Sequence, residues 1–577
     1  MGSLELQRKL DGISTGESVS LRIEPSEVSD FFSALESRDT ALSKVKNLEL
    51  GGCDLRTLPE SFGNLTALRV LSLARNRLTS LPDSIGNLTD LKSLYLYNNE
   101  LTALPNSFFN LRCLEELFLH FNRLTALPAT FGQLTALRYL DAHLNQLHDL
   151  PQSFNELRAL THLNISRNEF RSLPRTACRL PSLAELFVAG NQLETLPEGV
   201  GTLGSLEVLS IARNHVDSLP DSIGHLSKLT TFFASDNRLS ALPASMEQMR
   251  SLRSLFLHEN PALELPPEVL GPPWIECKGH GGTAEPAKPQ EILSFYFARS
   301  AAAARGELAP IHEVKVMLVG RGGAGKTSLR RFFLGQRHDP KEAETPGIAL
   351  DTLERTCGGK RIKLHLWDFA GQEITHALHQ FFLTGGSVYV LVLDPRSNTE
   401  MADAFYWLDQ LSRFAPGAPV VVALNRQDSR IGGYDVDRNQ LLERYPQIRS
   451  FVPTNCESRA GCEDLLQAIT QVIEAQPKDE LPWLDVPREW LSVKDTCWRM
   501  GNRDGGPTAK NAGSGVKHKL KFSEFQTLCA DNKITEKERQ ESLARILHRL
   551  GAVLHFVDDP RLRDTSVLDP HWVTDGV

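Results

Sequence analysis

From residue 43 to residue 272 the apolar positions repeat with a period of 23 residues. A Leu-Pro pair recurs with its proline at 59, 82, 105, 128, 151, 174, 197, 220, 243 and 266. Asparagine recurs at 76, 99, 122, 145, 168, 191, 214, 237 and 260, and Cys53 takes its place in the first unit. In the unit from Leu68 to Asp90, leucines at 68, 71, 73, 78, 81 and 88 are spaced to point inward. The Leu-x-Leu at its centre predicts a short strand, and the Pro- and Gly-containing remainder predicts a return segment. No unit can bury that many leucines alone, so the pattern predicts ten stacked units with one shared parallel sheet and ends that need covers. A short amide suits the asparagine position because it can satisfy backbone groups of the adjoining turn inside the stack.

These units are leucine-rich repeats and resemble the intracellular 23-residue class, which implies a horseshoe-shaped solenoid. Residues 1–42 read as its N-terminal cap, and Pro266-Pro267 through Trp274 read as the cover of the other end. Function in such arrays resides on the outward strand positions. Tyr95, Phe118, Phe187, Phe233 and Phe256 lie between strand leucines, and Tyr97, Phe121 and Tyr139 lie beside them. Aromatic residues on the concave sheet predict a surface for a protein or peptide partner. The other reading is that they pack against one another between strands. His120, His143 and His258 on the same face read as ordinary surface residues.

Residues 273–310 change composition, with Pro and Gly clusters followed by QEILSFYFARSAAAARGELAP, and read as a linker with a coupling helix. Ile292, Phe295 and Tyr296 are expected on one face of that helix. Next comes VKVMLVGRGGAGKTSL, an aliphatic strand pattern running into Gly320-x-x-x-x-Gly325-Lys326-Thr327 and a helix-forming segment. This is a phosphate-binding loop in its proper setting. Gly320, Gly322, Gly323, Ala324, Gly325 and Ser328 can turn backbone N–H groups around an anionic oxygen, helped by the helix N-terminus. Lys326 can reach the β- and γ-phosphates, and the Thr327 hydroxyl can ligate Mg²⁺.

Four further stretches follow in order across residues 311–480. Thr345 precedes a predicted hairpin turning at Gly358-Gly359 and can place a second hydroxyl on Mg²⁺. Asp368 ends an apolar strand and can hold Mg²⁺ as well. Gly371 allows a backbone N–H to approach the γ-phosphate, and Gln372 stands where it can orient the attacking water. Asn425-Arg426-Gln-Asp428 follows PVVVAL, and the Asp428 carboxylate can accept both donors that distinguish guanine from adenine. Asn455-Cys456 follows SFVPT, where a backbone N–H can meet the guanine 6-oxygen. Motifs at strand carboxyl ends in a βα alternation obey the rule for open α/β sheets.

This set resembles the Ras-like GTPase fold, a mostly parallel sheet with helices on both faces. Together with the repeats before it and LHRLGAVLHFVDDPRLRDTSVLDPHWVTDGV after it, it resembles the Roco family, bacterial Roco proteins included. That resemblance implies a multidomain α/β chain: the repeat solenoid, a Roc GTPase domain over 311–480, and an α+β COR segment over 481–577. It also implies GTP and GDP as ligands and nucleotide-dependent homodimerisation through Roc and COR. The chain stops where the family's COR continues, so COR is expected to be truncated and the dimer weakened. Arg426 stands where the guanine motif usually has lysine, and Glu457 stands where Ras-like proteins often have one.

Composition narrows the partners. The 63 basic and 71 acidic residues give a net charge of −8, no electrostatic footprint for nucleic acid or anionic membrane. Nine scattered cysteines without a C-x-x-C pair argue against a zinc or disulfide framework and fit a reducing compartment. No apolar run approaches a membrane span and the N-terminus has no signal-peptide pattern, so a cytoplasmic location is expected. The leading reading is a Mg²⁺-dependent GTPase switch that hydrolyses GTP slowly. Arg330, Arg331 and Arg396, or a partner, are candidate sources of a catalytic arginine. The rival is a non-catalytic repeat scaffold with a structural guanine nucleotide. An ATP-driven sensor of the immune-receptor type places its repeats after the nucleotide domain and lacks Asn-x-x-Asp.

Overall fold

The computed structural model describes residues 2–14, 20–37, 41–277, 282–337, 348–369, 383–394, 400–425, 436–477, 483–500, 519–555 and 565–567. The chain forms two compact units: Met1–Leu263 with Leu270–Leu293, and Glu264–Val269 with Ser294–Val577.

In the first unit, eleven three-residue strands pair in sequence order, all parallel, from Ser20–Arg22 to Ser254–Phe256. Ten belong to the repeats, and the first comes from the segment ahead of them, which extends the sheet as well as covering its end. The leucines at 68, 71, 73, 78, 81 and 88 are all buried. The asparagines form a ladder. Asn168 Oδ1 accepts from the Leu147 N–H at 2.9 Å, and its amide donates to the carbonyls of Ala142 and Ile165 at 3.0 and 3.1 Å. One side chain thus satisfies three backbone groups in two adjacent repeats, at a spot where water cannot. In the first repeat Cys53 donates to the Ile23 carbonyl at 3.4 Å. The residue before each asparagine turns left-handed, with φ between +53° and +58° at Arg75, Asn98, Phe121, Leu144, Arg167, Arg213, Asp236 and Glu259. Such corners are strained for non-glycine residues, and the ladder helps to hold them.

The second unit holds a six-stranded sheet. In chain order its strands are β1 (Glu313–Val319), β2 (Ile348–Cys357), β3 (Lys360–Phe369), β4 (Val388–Leu393), β5 (Val420–Asn425) and β6 (Ile448–Thr454). Spatially the order is β2-β3-β1-β4-β5-β6, parallel except for β2. β2 and β3 pair from Ile348↔Phe369 to Cys357↔Lys360 around Gly358-Gly359, whose φ values of +54° and +76° suit a two-residue hairpin turn. The described helices of this domain are α1 (Lys326–Phe333), α2 (Glu400–Phe414), α3 (Arg438–Arg444) and α4 (Cys462–Glu474). Two apolar clusters form, one around Trp367, Tyr389 and Trp407, the other around Val316, Leu329 and Leu466. Burial of sheet strands on both faces explains the mostly apolar runs of β1, β4 and β5.

Leu308–Pro310 and Asp485–Pro487 pair antiparallel, joining the segments on either side of this domain. Beyond them lie the helices Arg488–Met500, Phe522–Asp531 and Lys537–Arg549 and a small antiparallel sheet. The coupling helix Pro289–Ala304 departs from expectation. Five successive residues, Glu291 through Phe295, are buried, and Tyr296 is half-buried, so burial is not confined to one face. Phe295 packs edge-on to Trp490 at 5.5 Å.

Candidate functional site

β1 lies between β3 and β4, so the chain leaves it in one direction and returns on the other side. This is the switch point of an open sheet, where carboxyl ends of strands frame a crevice. Gly320, Asp368, Asn425 and Asn455 all stand at such ends.

The phosphate loop is shaped by what presses on it. Gly320 has φ +140°, and a Cβ there would sit 2.3 Å from the Val392 carbonyl oxygen. Gly325 has φ +102°, and a Cβ there would sit 2.0 Å from Asn425 Nδ2. Gly323, at φ +77°, faces open space, so backbone geometry rather than crowding favours glycine there. Helix α1 starts at Lys326, directing the N-terminal end of its dipole toward the loop. Lys326 is 5% exposed, and its ammonium donates to the carbonyls of Gly320 and Arg321 at 2.7 and 3.0 Å. These carbonyls tether the charge at the mouth of the loop. Thr327 and Ser328 are half-buried in the first turn.

The base-side residues converge on the same loop. Asn425 donates through Nδ2 to the Ala324 carbonyl at 2.8 Å, while its Oδ1 lies 3.4 Å from Thr454 Oγ1 and 3.3 Å from Cys456 Sγ. Asn425, expected from the sequence among the nucleotide-binding residues, braces the loop to the end of β6. Asn455 Oδ1 accepts from the N–H groups of Glu457 and Ser458, and its own N–H donates to Ala460. That backbone N–H is engaged within the turn. At the start of α4, the Cys462 thiol is pulled below its ordinary range, chiefly by a hydrogen bond with Cys456.

At the end of β3, Asp368 is fully buried, with Arg330 Nε 3.7 Å from its Oδ2. Arg330 also reaches Asp351 at 3.3 Å. Arg331 Nε donates to the Arg337 carbonyl at 3.1 Å. Thr345, Gly371, Gln372, Arg396, Arg426 and Asp428 lie outside the described residues.

On the repeat sheet the aromatics form a ladder across strands. Tyr95 stacks on Phe118 at 4.7 Å, Phe118 meets Tyr139 at 4.9 Å, and Phe233 stacks on Phe256 at 5.1 Å. Phe121 is 50% exposed, and Tyr95, Tyr97, Phe118, Tyr139, Phe187 and Phe233 are half-buried. Phe256 corrects the expectation of an accessible partner residue. It is 3% exposed, on the last strand of the sheet, stacked on Phe233, against which Trp274 sits edge-on at 5.6 Å.

Family models match the chain in order. A leucine-rich repeat region spans 40–126 and 122–215, and a leucine-rich repeat match spans 204–261. The "Ras of Complex, Roc, domain of DAPkinase" spans 315–428, and the "C-terminal of Roc, COR-A domain" spans 487–577. The chain belongs to the Roco family. Among Roco relatives, a Dictyostelium discoideum protein named "Probable serine/threonine-protein kinase pats1" is 27% identical over 46% of this chain and 9% of its own. The "Roc-COR-CHAT protease" of Runella zeae is 25% identical over 46% of this chain and 29% of its own. This Roco chain thus spans less than a third of the length of these curated relatives. A solved structure of Methanosarcina barkeri Roco2 RocCORdC bound to GDP is 34% identical, covering 47% of this chain and 76% of that one, with a TM-score of 0.40.

Sequence reasoning missed a buried cluster at the opposite end of β1. Glu313 accepts from His365 Nε2 at 2.9 Å and pairs with Lys494. The one available signal was an acidic residue opening an aliphatic strand.

Proposed function

We propose that this Roco chain binds guanine nucleotides, hydrolyses GTP slowly with Mg²⁺, and acts as a switch whose state is passed to the repeats. The observation that carries the reading is the convergence on one loop of Lys326, tethered over it, and Asn425, which opens the guanine motif and braces it. Backbone N–H groups of the loop and of α1 bind the β-phosphate, and Lys326 offsets charge on the β- and γ-phosphates. Asp428 accepts from the guanine ring and selects it over adenine. Thr327, Thr345 and Asp368 would hold Mg²⁺, and the buried Asp368 carboxylate with the Thr327 hydroxyl suits that hard cation. When bound, the ion neutralises charge that spreads over the phosphate oxygens. Gln372 orients water so that its oxygen attacks the γ-phosphorus as the bond to the bridging oxygen breaks. The water proton passes to the released phosphate, leaving GDP and inorganic phosphate. Without an added arginine such rates are about 10⁻³ s⁻¹ or slower.

The repeats supply a partner surface around Tyr97, Phe118 and Phe121, and Roc and COR support a homodimer. The location is cytoplasmic; among the described residues no helix is long and apolar enough to cross a membrane. Titrating the purified chain with GTP, GDP and ATP, while following turnover and molecular mass together, tests these claims. Equal affinity for ATP would overturn the guanine assignment. Gln372→Leu should leave binding intact and abolish turnover; unchanged turnover would remove Gln372 from catalysis.

A further inference from the structure

The parallel register of the repeat sheet places Phe118 beside Asp141 and, two residues on, His120 beside His143. The two imidazoles stack at 4.6 Å. One ligand atom from each of His120, Asp141 and His143 lies within 4.8 Å of the others. Asp141 Oδ1 accepts from both the backbone N–H of His143 and its ring Nδ1, at 3.1 and 2.6 Å. Asp141 Oδ2 faces His120 Nδ1 at 3.4 Å. That ring nitrogen is buried and makes no hydrogen bond among the described residues.

The surroundings distinguish this cluster from a surface hydrogen-bond network. The neighbours of His120 fix its position, with Tyr97 stacked on it at 4.6 Å and Phe121 edge-on at 5.9 Å. Imidazole and carboxylate donors bind a borderline divalent ion at about 2.0–2.2 Å, which brings the donor atoms roughly 3–4 Å apart.

We propose that His120, Asp141 and His143 form a binding site for a divalent transition metal of the Zn²⁺ class on the outward face of the repeat sheet. Two imidazoles favour such an ion over Mg²⁺ or Ca²⁺, which prefer all-oxygen shells. Binding displaces the proton shared by His143 and Asp141 to solvent. Three protein ligands leave at least one coordination position for water or for a donor atom of a docking partner. The site therefore gives the aromatic ladder a polar anchor in its middle.

The test uses the full chain, stripped with chelator and then held with GDP and saturating Mg²⁺, which is titrated with Zn²⁺ by calorimetry and with Co²⁺ by visible absorption. Wild type should take up one ion that His120→Gln, Asp141→Asn and His143→Gln each weaken at least tenfold, while the exposed control His225→Gln does not. Co²⁺ should give visible d–d bands in wild type that these three variants lose. Zn²⁺ should raise the unfolding temperature of wild type and not of His143→Gln, each compared with its own metal-free value. Equal Zn²⁺ affinity and stoichiometry in wild type and His143→Gln, or no Co²⁺ spectrum in wild type, overturns the proposal.

Discussion

The amide of Asn425 donates a hydrogen bond to the carbonyl oxygen of Ala324 at 2.8 Å, spanning 101 residues of chain. It ties the end of β5 to the turn of the phosphate loop. Because Asn425 is 1% exposed, removing its side chain leaves the Ala324 carbonyl buried without this donor. Asn425→Ala should therefore cost about 1–3 kcal/mol of domain stability. It should also lower affinity for GTP and GDP alike, as read by fluorescent-nucleotide titration. Gly325→Ala should do the same from the other side, since its Cβ would meet Asn425 Nδ2 at 2.0 Å. Unaltered affinity in both variants would separate the brace from nucleotide binding.

Lys326 carries the second prediction. Its ammonium is held by two loop carbonyls, and the proposed function gives it the phosphate oxygens as partners. A charge-assisted hydrogen bond of this kind contributes about 1.5–3 kcal/mol, or roughly 10–10² in affinity. Lys326→Met, which keeps the buried stem, should lose at least that much for GTP and GDP in equilibrium dialysis. Full affinity would refute the assignment of the loop.

The asparagine ladder should be the most sensitive polar feature of the repeats. Asn168→Ala strands the Leu147 N–H and the Ala142 and Ile165 carbonyls in an interior without water. The cost should be roughly 2–4 kcal/mol, greater than for an exposed asparagine. Urea unfolding followed by circular dichroism measures it, and a loss under ~0.5 kcal/mol would mean that water reaches the ladder.

These predictions differ in how far the sequence alone supports them. The ladder was legible because a 23-residue period repeats one short amide nine times, and only one buried role suits it everywhere. The hairpin at Gly358-Gly359 was legible because two adjacent glycines between alternating strands permit little else. The brace at Asn425 was not, since it joins two segments 101 residues apart that only the fold brings together. Phe256 was misjudged because repeat periodicity carries no information about where the array is covered. Ile292 and Phe295 were rightly read as apolar contacts. The burial of Ser294 between them involves a partner distant in sequence, Glu536. The metal-ligand geometry at His120, Asp141 and His143 becomes visible once the strand register is known.

The cluster at the start of β1 makes stability depend on pH. Burial alone would raise the Glu313 carboxyl, but hydrogen bonds and charge from His365 and Lys494 outweigh it and lower the pKa to about 2. Burial lowers His365 below its ordinary value of 6.5 despite the opposing pull of Glu313. For Glu313 the depressed value means stability is fully present above the unfolded pKa of 4.5 and is lost as pH falls toward about 2. A depressed histidine acts in the same direction, because below 6.5 the unfolded chain takes up a proton that the folded ring resists. Stability of the Roc domain should therefore fall on acidification below 6.5, and more steeply below 4.5, by roughly 3 kcal/mol or less for Glu313 itself. Lys494→Met removes the ammonium, weakens the depression of Glu313 and should move the acid transition to higher pH. It should also lower stability at neutral pH, since a buried carboxylate loses a partner. Urea midpoints for both chains at pH values near 7, 5 and 3 decide the matter. A midpoint independent of pH over that range would show that the cluster titrates alike in the folded and unfolded states.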